Sequence, residues 1–148
     1  MILSKTFGYA IRGILYIALV QKEERKVQIE EISEKLSVPR HFLGKILQEL
    51  VRNGLLTSVK GPNGGFSLGE NTLSKSLLDV YRTTDHIEQL TQCELRFNQC
   101  DKIHPCPLHD KVQQIREEFI ALLSKTTIND LITGTKKLQL HNIATTGV

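Results

Sequence analysis

A mainly α-helical fold with one small β-hairpin, a helix-turn-helix domain carrying a wing and followed by a long helix, is predicted by three observations on the 148-residue chain. Tryptophan is absent and aromatics are 5% against 40% apolar residues, so the core must be built from Leu, Ile and Val, which suits helices better than a sandwich or barrel. "SVP" stands between two apolar stripes of helical period, and Pro39 both forbids continuation of the first helix and fits the start of the second. "GPNGG" joins two short strand-like runs and is almost pure turn chemistry. The length allows one domain, or one domain with an appended element, but not two independent cores.

In chain order, "SKTFGYAIRGILYIALV" sets Phe7, Ala10, Ile11, Ile14, Leu15 and Ala18 at helical spacing behind Ser4 as N-cap, and the charged "QKEERK" ends that helix. Ile29, Ile32 and Leu36 form a second helix of about eight residues. After the "SVP" turn, Phe42, Ile46 and Leu50, joined by Leu43, Leu47 and Val51, form a third, with Asn53-Gly54 as its C-cap. Leu56 to Val59 and Phe66 to Leu68 are the strand candidates of the wing. A fourth helix runs from about Ser74 to Thr84 and offers Leu77, Leu78 and Tyr81 to the core. From Pro107 a long helix extends to about Ser124, with Val112, Ile115, Phe119 and Leu122 on a narrow a/d seam. A chain this short has little spare core, so the seam needs something to bury it, either the chain's own domain or a second copy. Thr127 and Asp130 stand at capping-box spacing at the head of a last short helix in "TINDLI". The chain divides into a winged helix-turn-helix domain at 1–84, a cysteine-rich loop at 85–106, the long and short helices at 107–134, and an unpatterned tail at 135–148 expected to be disordered.

Charge distribution points to an anionic partner. The net charge is only +3, but from Ser37 to Lys60 the chain carries Arg40, Lys45, Arg52 and Lys60 against Glu49 alone. In a helix-turn-helix the second helix enters the major groove of duplex DNA, which places Arg40, His41, Gly44 and Lys45 against bases and phosphates. Gly44 costs the helix ~1 kcal/mol relative to Ala, and close approach of the backbone to the duplex would account for it. Lys60, Gly61, Pro62, Asn63, Gly64 and Gly65 make a thin wing whose amides can face phosphates, without an Arg at the tip to probe the minor groove. Lys5 and Arg12 break the first apolar stretch, so it does not read as a signal peptide, and the run from Ile14 to Val20 is far below the ~20 residues of a membrane span. The expectation is a cytoplasmic protein without membrane contact. No nucleophile–base pair, phosphate loop or paired carboxylates suggest an enzyme or a small-molecule substrate.

All three cysteines fall in "CELRFNQCDKIHPCPLHD", at Cys93, Cys100 and Cys106, spaced C-x6-C-x5-C, with His109 three residues after the last. An odd count in a cytosolic setting argues against a disulfide framework. The polar surroundings argue against plainly buried thiols, and structural zinc favours tighter C-x2-4-C pairs. A thiol switch needs only accessible, low-pKa sulfurs. An iron–sulfur cluster fits better, since thiolates are its normal ligands and it can be gripped by cysteines several residues apart. With Pro107 at the first helical position, Cys106 would be the N-cap and the helix dipole would favour its thiolate.

"LSKTFGYAIRGILYIAL", "VPRHFLGKILQELVRNGLLTSVKGPNGGFSL", the three cysteines and "TINDLI" together resemble the Rrf-type (IscR-, NsrR- and CymR-like) winged-helix transcription regulators of bacteria, over nearly the whole chain. The resemblance implies a homodimer on a palindromic operator, with the interface on the long helix. It implies a [2Fe-2S] or [4Fe-4S] cluster on the three cysteines, sensing iron–sulfur status, redox state or nitric oxide. His109 occupies the place of the fourth ligand in the IscR-like pattern, although the first gap here holds six residues where that pattern has five. Some relatives take a ligand from the partner's first helix, where this chain has Gly8 and Arg12, both poor ligands. CymR-like members lack a cluster, so the alternative is a regulator controlled by thiol oxidation or a protein partner.

Overall fold

The computed structural model describes residues 3–21, 25–93, 95 and 102–133; Cys100 and the tail at 135–148 lie outside them. Helix α1 (Lys5–Val20) begins where expected: Ser4 Oγ accepts the Phe7 N–H at 3.0 Å. Its buried face includes Phe7, Ala10, Ile14 and Leu15, with Tyr16 and Ile17 added to the predicted stripe. Helices α2 (Ile29–Leu36) and α3 (Arg40–Arg52) pack on it through Ile32, Leu36, Leu43, Leu47 and Leu50, all fully enclosed. Each such side chain contributes ~1.5–3 kcal/mol by leaving water.

The turn between α2 and α3 is made by Ser37 in the left-handed region (φ 52°), with the Ser37 N–H on Glu34 O and the Val38 N–H on Ser33 O. Helix α3 ends as predicted. Gly54 takes φ 73°, its N–H binds Val51 O, and the Leu55 N–H reaches back to Leu50 O at 2.8 Å. These two bonds satisfy carbonyls that the helix end would leave open.

Strands β1 (Thr57–Val59) and β2 (Gly65–Ser67) pair antiparallel with Thr57 opposite Ser67 and Val59 opposite Gly65. β2 therefore starts at Gly65, inside the expected turn. An extended residue ahead of α2 joins the hairpin, as Val27 exchanges both backbone hydrogen bonds with Phe66 at 2.8 Å.

Helix α4 (Leu77–Thr84) starts later than the apolar pattern suggested, because Ser76 and Asp79 form a capping box that fixes the first turn. A single 3-10 turn follows at Ile87–Leu90. Helix α5 (His109–Lys125) begins two residues beyond the predicted Pro107. Its N-cap is Leu108, not Cys106. The chain from Cys106 instead makes a turn in which Cys106 O accepts the His109 N–H at 2.9 Å, so Cys106 sits two residues before the N-cap.

Helix α6 (Ile128–Thr133) carries the expected cap: the Thr127 N–H donates to Asp130 Oδ2 and the Asp130 N–H to Thr127 Oγ1. The Thr127 amide, then its hydroxyl, hold the Asp130 carboxyl below its usual range. The chain around α6 folds back on the head of α4, with the Leu77 N–H on Thr126 O and the Ile128 and Asn129 N–H groups on Lys75 O and Leu73 O. α4 and α5 thus form an antiparallel pair clamped at one end. At 1.5 Å per residue α4 is ~12 Å long and α5 ~25 Å, so the first turns of α5 run past the end of α4 and carry the cysteine loop.

Candidate nucleic-acid interface and cysteine loop

The N-terminal end of α3 is open to solvent. Arg40, His41 and Lys45 are exposed, and Arg40 Nη2 lies 2.9 Å from Glu30 Oε1 on α2. Phe42, expected to face the core, is 40% exposed and meets the Tyr9 ring edge-on at 5.7 Å. Arg12 lies over the other part of this aromatic pair, 5.0 Å from the Tyr9 centroid, and donates to Leu36 O at 3.3 Å. α1 is thereby tied to the α2–α3 turn, and burial lowers the pKa of Arg12 against the opposing influence of Tyr9.

Gly44 has a reason inside the protein. A Cβ there would meet Ile29 Cδ1 at 3.1 Å, so the missing side chain lets α2 and α3 close together. Lys45 borders a cleft of about 230 Å³ shared with Thr6, Phe42, Glu49, Thr83 and Thr84. Helix α3 therefore borders the C-terminal end of α4.

In the wing, Lys60, Gly61, Pro62 and Asn63 are exposed, whereas Gly64 is buried and Gly65 half-buried. A Cβ on Gly64 would fall 2.0 Å from Val59 O, which no side chain can occupy. Gln28 Nε2 donates to Pro62 O at 3.2 Å and to Gly64 O at 2.9 Å, fixing the wing tip to the residues before α2. Gln28 and Glu30 escaped sequence reasoning because both read as ordinary polar surface; only folding brings them against the wing tip and Arg40.

The cysteine loop is anchored at both described ends. After the 3-10 turn, Gln92 O is held by the buried guanidinium of Arg116 on α5, placing the half-buried Cys93 beside that helix. At the other end His109, first residue of α5, borders a cleft of about 370 Å³ with Lys102, Pro105, Asp110 and Gln113. Cys93 and Cys106 are not joined in a disulfide. Arg116 follows His109 by seven residues, so the two lie on one face of α5 about two turns apart. Arg116 also escaped the sequence reading, where its position between the seam residues Ile115 and Phe119 was the available signal. Among the described residues no three of His, Cys, Asp and Glu are gathered as a metal site would require. The donor set of three thiols and one imidazole nevertheless suits an iron–sulfur cluster in its chemistry.

Asp85 ties two elements of the head together. Its Oδ2 accepts from Thr84 Oγ1 at 2.7 Å and from Ser4 Oγ at 3.0 Å, joining the end of α4 to the cap of α1. On α5, Phe119 packs edge-on to Tyr81 at 6.5 Å and Leu123 is buried, while Val112 is half-buried and Ile115 and Leu122 stand 62% and 59% exposed. The predicted seam is thus divided, with Phe119 turned to the chain's own core and Leu108, Ile115 and Leu122 forming an open stripe at seven-residue intervals. No helix among the described residues is long and apolar enough to cross a membrane.

Comparison with known proteins places these features in context. The family model described as "Rrf2: Iron-dependent Transcriptional regulator" matches residues 3–134. A protein of Aquifex aeolicus named as an HTH-type transcriptional regulator is 34% identical over 134 residues, covering 89% of this chain and 92% of its own. The HTH-type transcriptional regulator NsrR of Geobacillus kaustophilus is 30% identical over 125 residues, 84% of each chain. Among solved structures, CymR, the global cysteine regulator of B. subtilis, superposes with a TM-score of 0.72 at 21% identity, covering 90% of this chain and 98% of the other, a likeness of fold.

Proposed function

The chain belongs to the Rrf2 family of transcriptional regulators and is not an enzyme, and from that premise we propose that it is a homodimer whose grip on a palindromic operator is set by an iron–sulfur cluster on the loop from Cys93 to Cys106. The observation that carries this reading is the loop's place in the fold: it joins α4, bonded through Asp85 to the winged head, to α5, which bears the open apolar stripe.

Cys93, Cys100 and Cys106 would hold the cluster as thiolates, with His109 as fourth ligand. When bound, it supplies a centre sensitive to redox state, nitric oxide or iron–sulfur supply. The chain's own residues do the rest. Arg116 holds Gln92 and so keeps Cys93 against α5, and the Cys106–His109 backbone bond keeps the last thiol within one turn of the imidazole. A change in loop order is transmitted through Asp85 to Ser4 and through Thr83 and Thr84 to the cleft beside Lys45. Half-sites read by a symmetric dimer lie ~34 Å apart, so a small rotation of each head costs affinity. Arg40, His41 and Lys45 enter the major groove while Lys60 to Asn63 follow the backbone beside it.

The test is anaerobic purification of the full chain with assays of iron, sulfide and zinc, for wild type and for the variant with Cys93, Cys100 and Cys106 all changed to Ala. Stoichiometric iron and sulfide in the wild type alone supports the cluster. Colourless protein after anaerobic reconstitution overturns it and favours control by thiol oxidation or a protein partner.

A further inference from the structure

Three consecutive residues touch the proposed reading surface at three places: Gln28 bonds the wing tip, Ile29 packs where Gly44 lacks a side chain, and Glu30 pairs with Arg40. Glu30 is the anomaly among them. Its carboxylate stands 57% exposed against Arg40, next to a segment in which Arg40, Lys45, Arg52 and Lys60 outnumber Glu49, so an approaching polyanion would repel it. The fold has little need of it, because a solvent-exposed ion pair contributes little to stability and Glu31 already places negative charge in the first turn of α2.

We propose that Glu30 is a specificity-determining residue, which holds the Arg40 guanidinium for reading a base and removes its value as a phosphate anchor. The inference rests on the assignment of α3 as the DNA-reading helix. The guanidinium presents its donors in a planar fork, and the carboxylate oxygen 2.9 Å from Nη2 engages a donor on one edge. The remaining edge matches the paired acceptors O6 and N7 of guanine. A neutralised Arg–Glu pair displaces fewer counterions from the backbone than a lone arginine, so Glu30 lowers affinity for every duplex while raising the penalty for a wrong base.

The experiment uses the full-length protein and a duplex selected from a randomised pool by the wild type, together with a scrambled duplex of equal composition. Affinities are measured against salt for wild type, Glu30→Gln, Arg40→Ala and the double variant. Glu30→Gln is expected to tighten binding to the scrambled duplex, to steepen the salt slope by about one, and to lower the selected-to-scrambled ratio about tenfold. In the Arg40→Ala background the same change should leave the ratio as it was. If Arg40→Ala weakens selective binding but Glu30→Gln leaves the ratio unchanged, the role of Glu30 is wrong while α3 remains the reading helix. If Arg40→Ala has no effect on either duplex, both fall.

Discussion

Replacing Ile115 and Leu122 together with alanine tests whether the open stripe on α5 is where two copies meet. These side chains are 62% and 59% exposed in the single chain. Fully burying one is worth ~1.5–3 kcal/mol, so covering the exposed part of both, in each of two protomers, is worth roughly 4–7 kcal/mol. Alanine keeps a methyl and removes most of this, about 3–5 kcal/mol, which is a dissociation constant roughly 100- to 4000-fold weaker. The fold of each chain should hardly change, because substitutions at exposed helix positions usually stay within about 0.5 kcal/mol and alanine favours the helix. Sedimentation equilibrium gives the dissociation constant, and circular dichroism on dilute samples reports the helices of the monomer. An unchanged dissociation constant with intact helices would refute the assignment. Melting of the monomer would mean that the stripe packs on its own chain.

Two further outcomes follow from the geometry. Gly64→Ala drives a Cβ to 2.0 Å from Val59 O, so the wing must open; duplex affinity should fall about tenfold, the worth of one or two lost hydrogen bonds, while helical content is kept. Full affinity in that variant, measured by fluorescence anisotropy, would take the wing out of the interface. Tyr16, buried and donating to Glu31 Oε1 at 2.7 Å, has its pKa pushed up to about 12, by burial first and by Glu31 second. Its folded value lies above the ~10 of an unfolded chain, so this stability is fully present below pH 10 and is lost as pH rises through 12. The melting-temperature gap between wild type and Tyr16→Phe should be constant to pH 10 and shrink above it; a gap that does not move with pH would contradict the buried hydrogen bond.

Much of the head was legible because its signals are local. Pro39 and Gly54 bracket α3, Ser4 caps α1, and "GPNGG" forces a hairpin, each by chemistry within a few residues. Most of the departures come from contacts that no local pattern encodes, although the first is a local turn. Pro107 looked like a first helical residue, but the turn closed by Cys106 and His109 delays α5 by two positions. Phe42 has the right period for the core yet lies on the surface against Tyr9, a residue of another helix. Gly44 reads as room for DNA and is at least as much room for Ile29. The anchors Gln28, Glu30, Asp85 and Arg116 were invisible because each partner lies on another element, 10 to 81 residues away in the chain.

The most direct test of the account is one titration: affinity of full-length protein for its selected duplex, under anaerobic conditions, before and after iron is stripped by a chelator. A coupling of ordinary size predicts a change of at least about fivefold, absent in Cys106→Ala. Equal affinity in both forms, with iron and sulfide shown to be stoichiometric beforehand, would contradict the claim that the cysteine loop governs the winged heads.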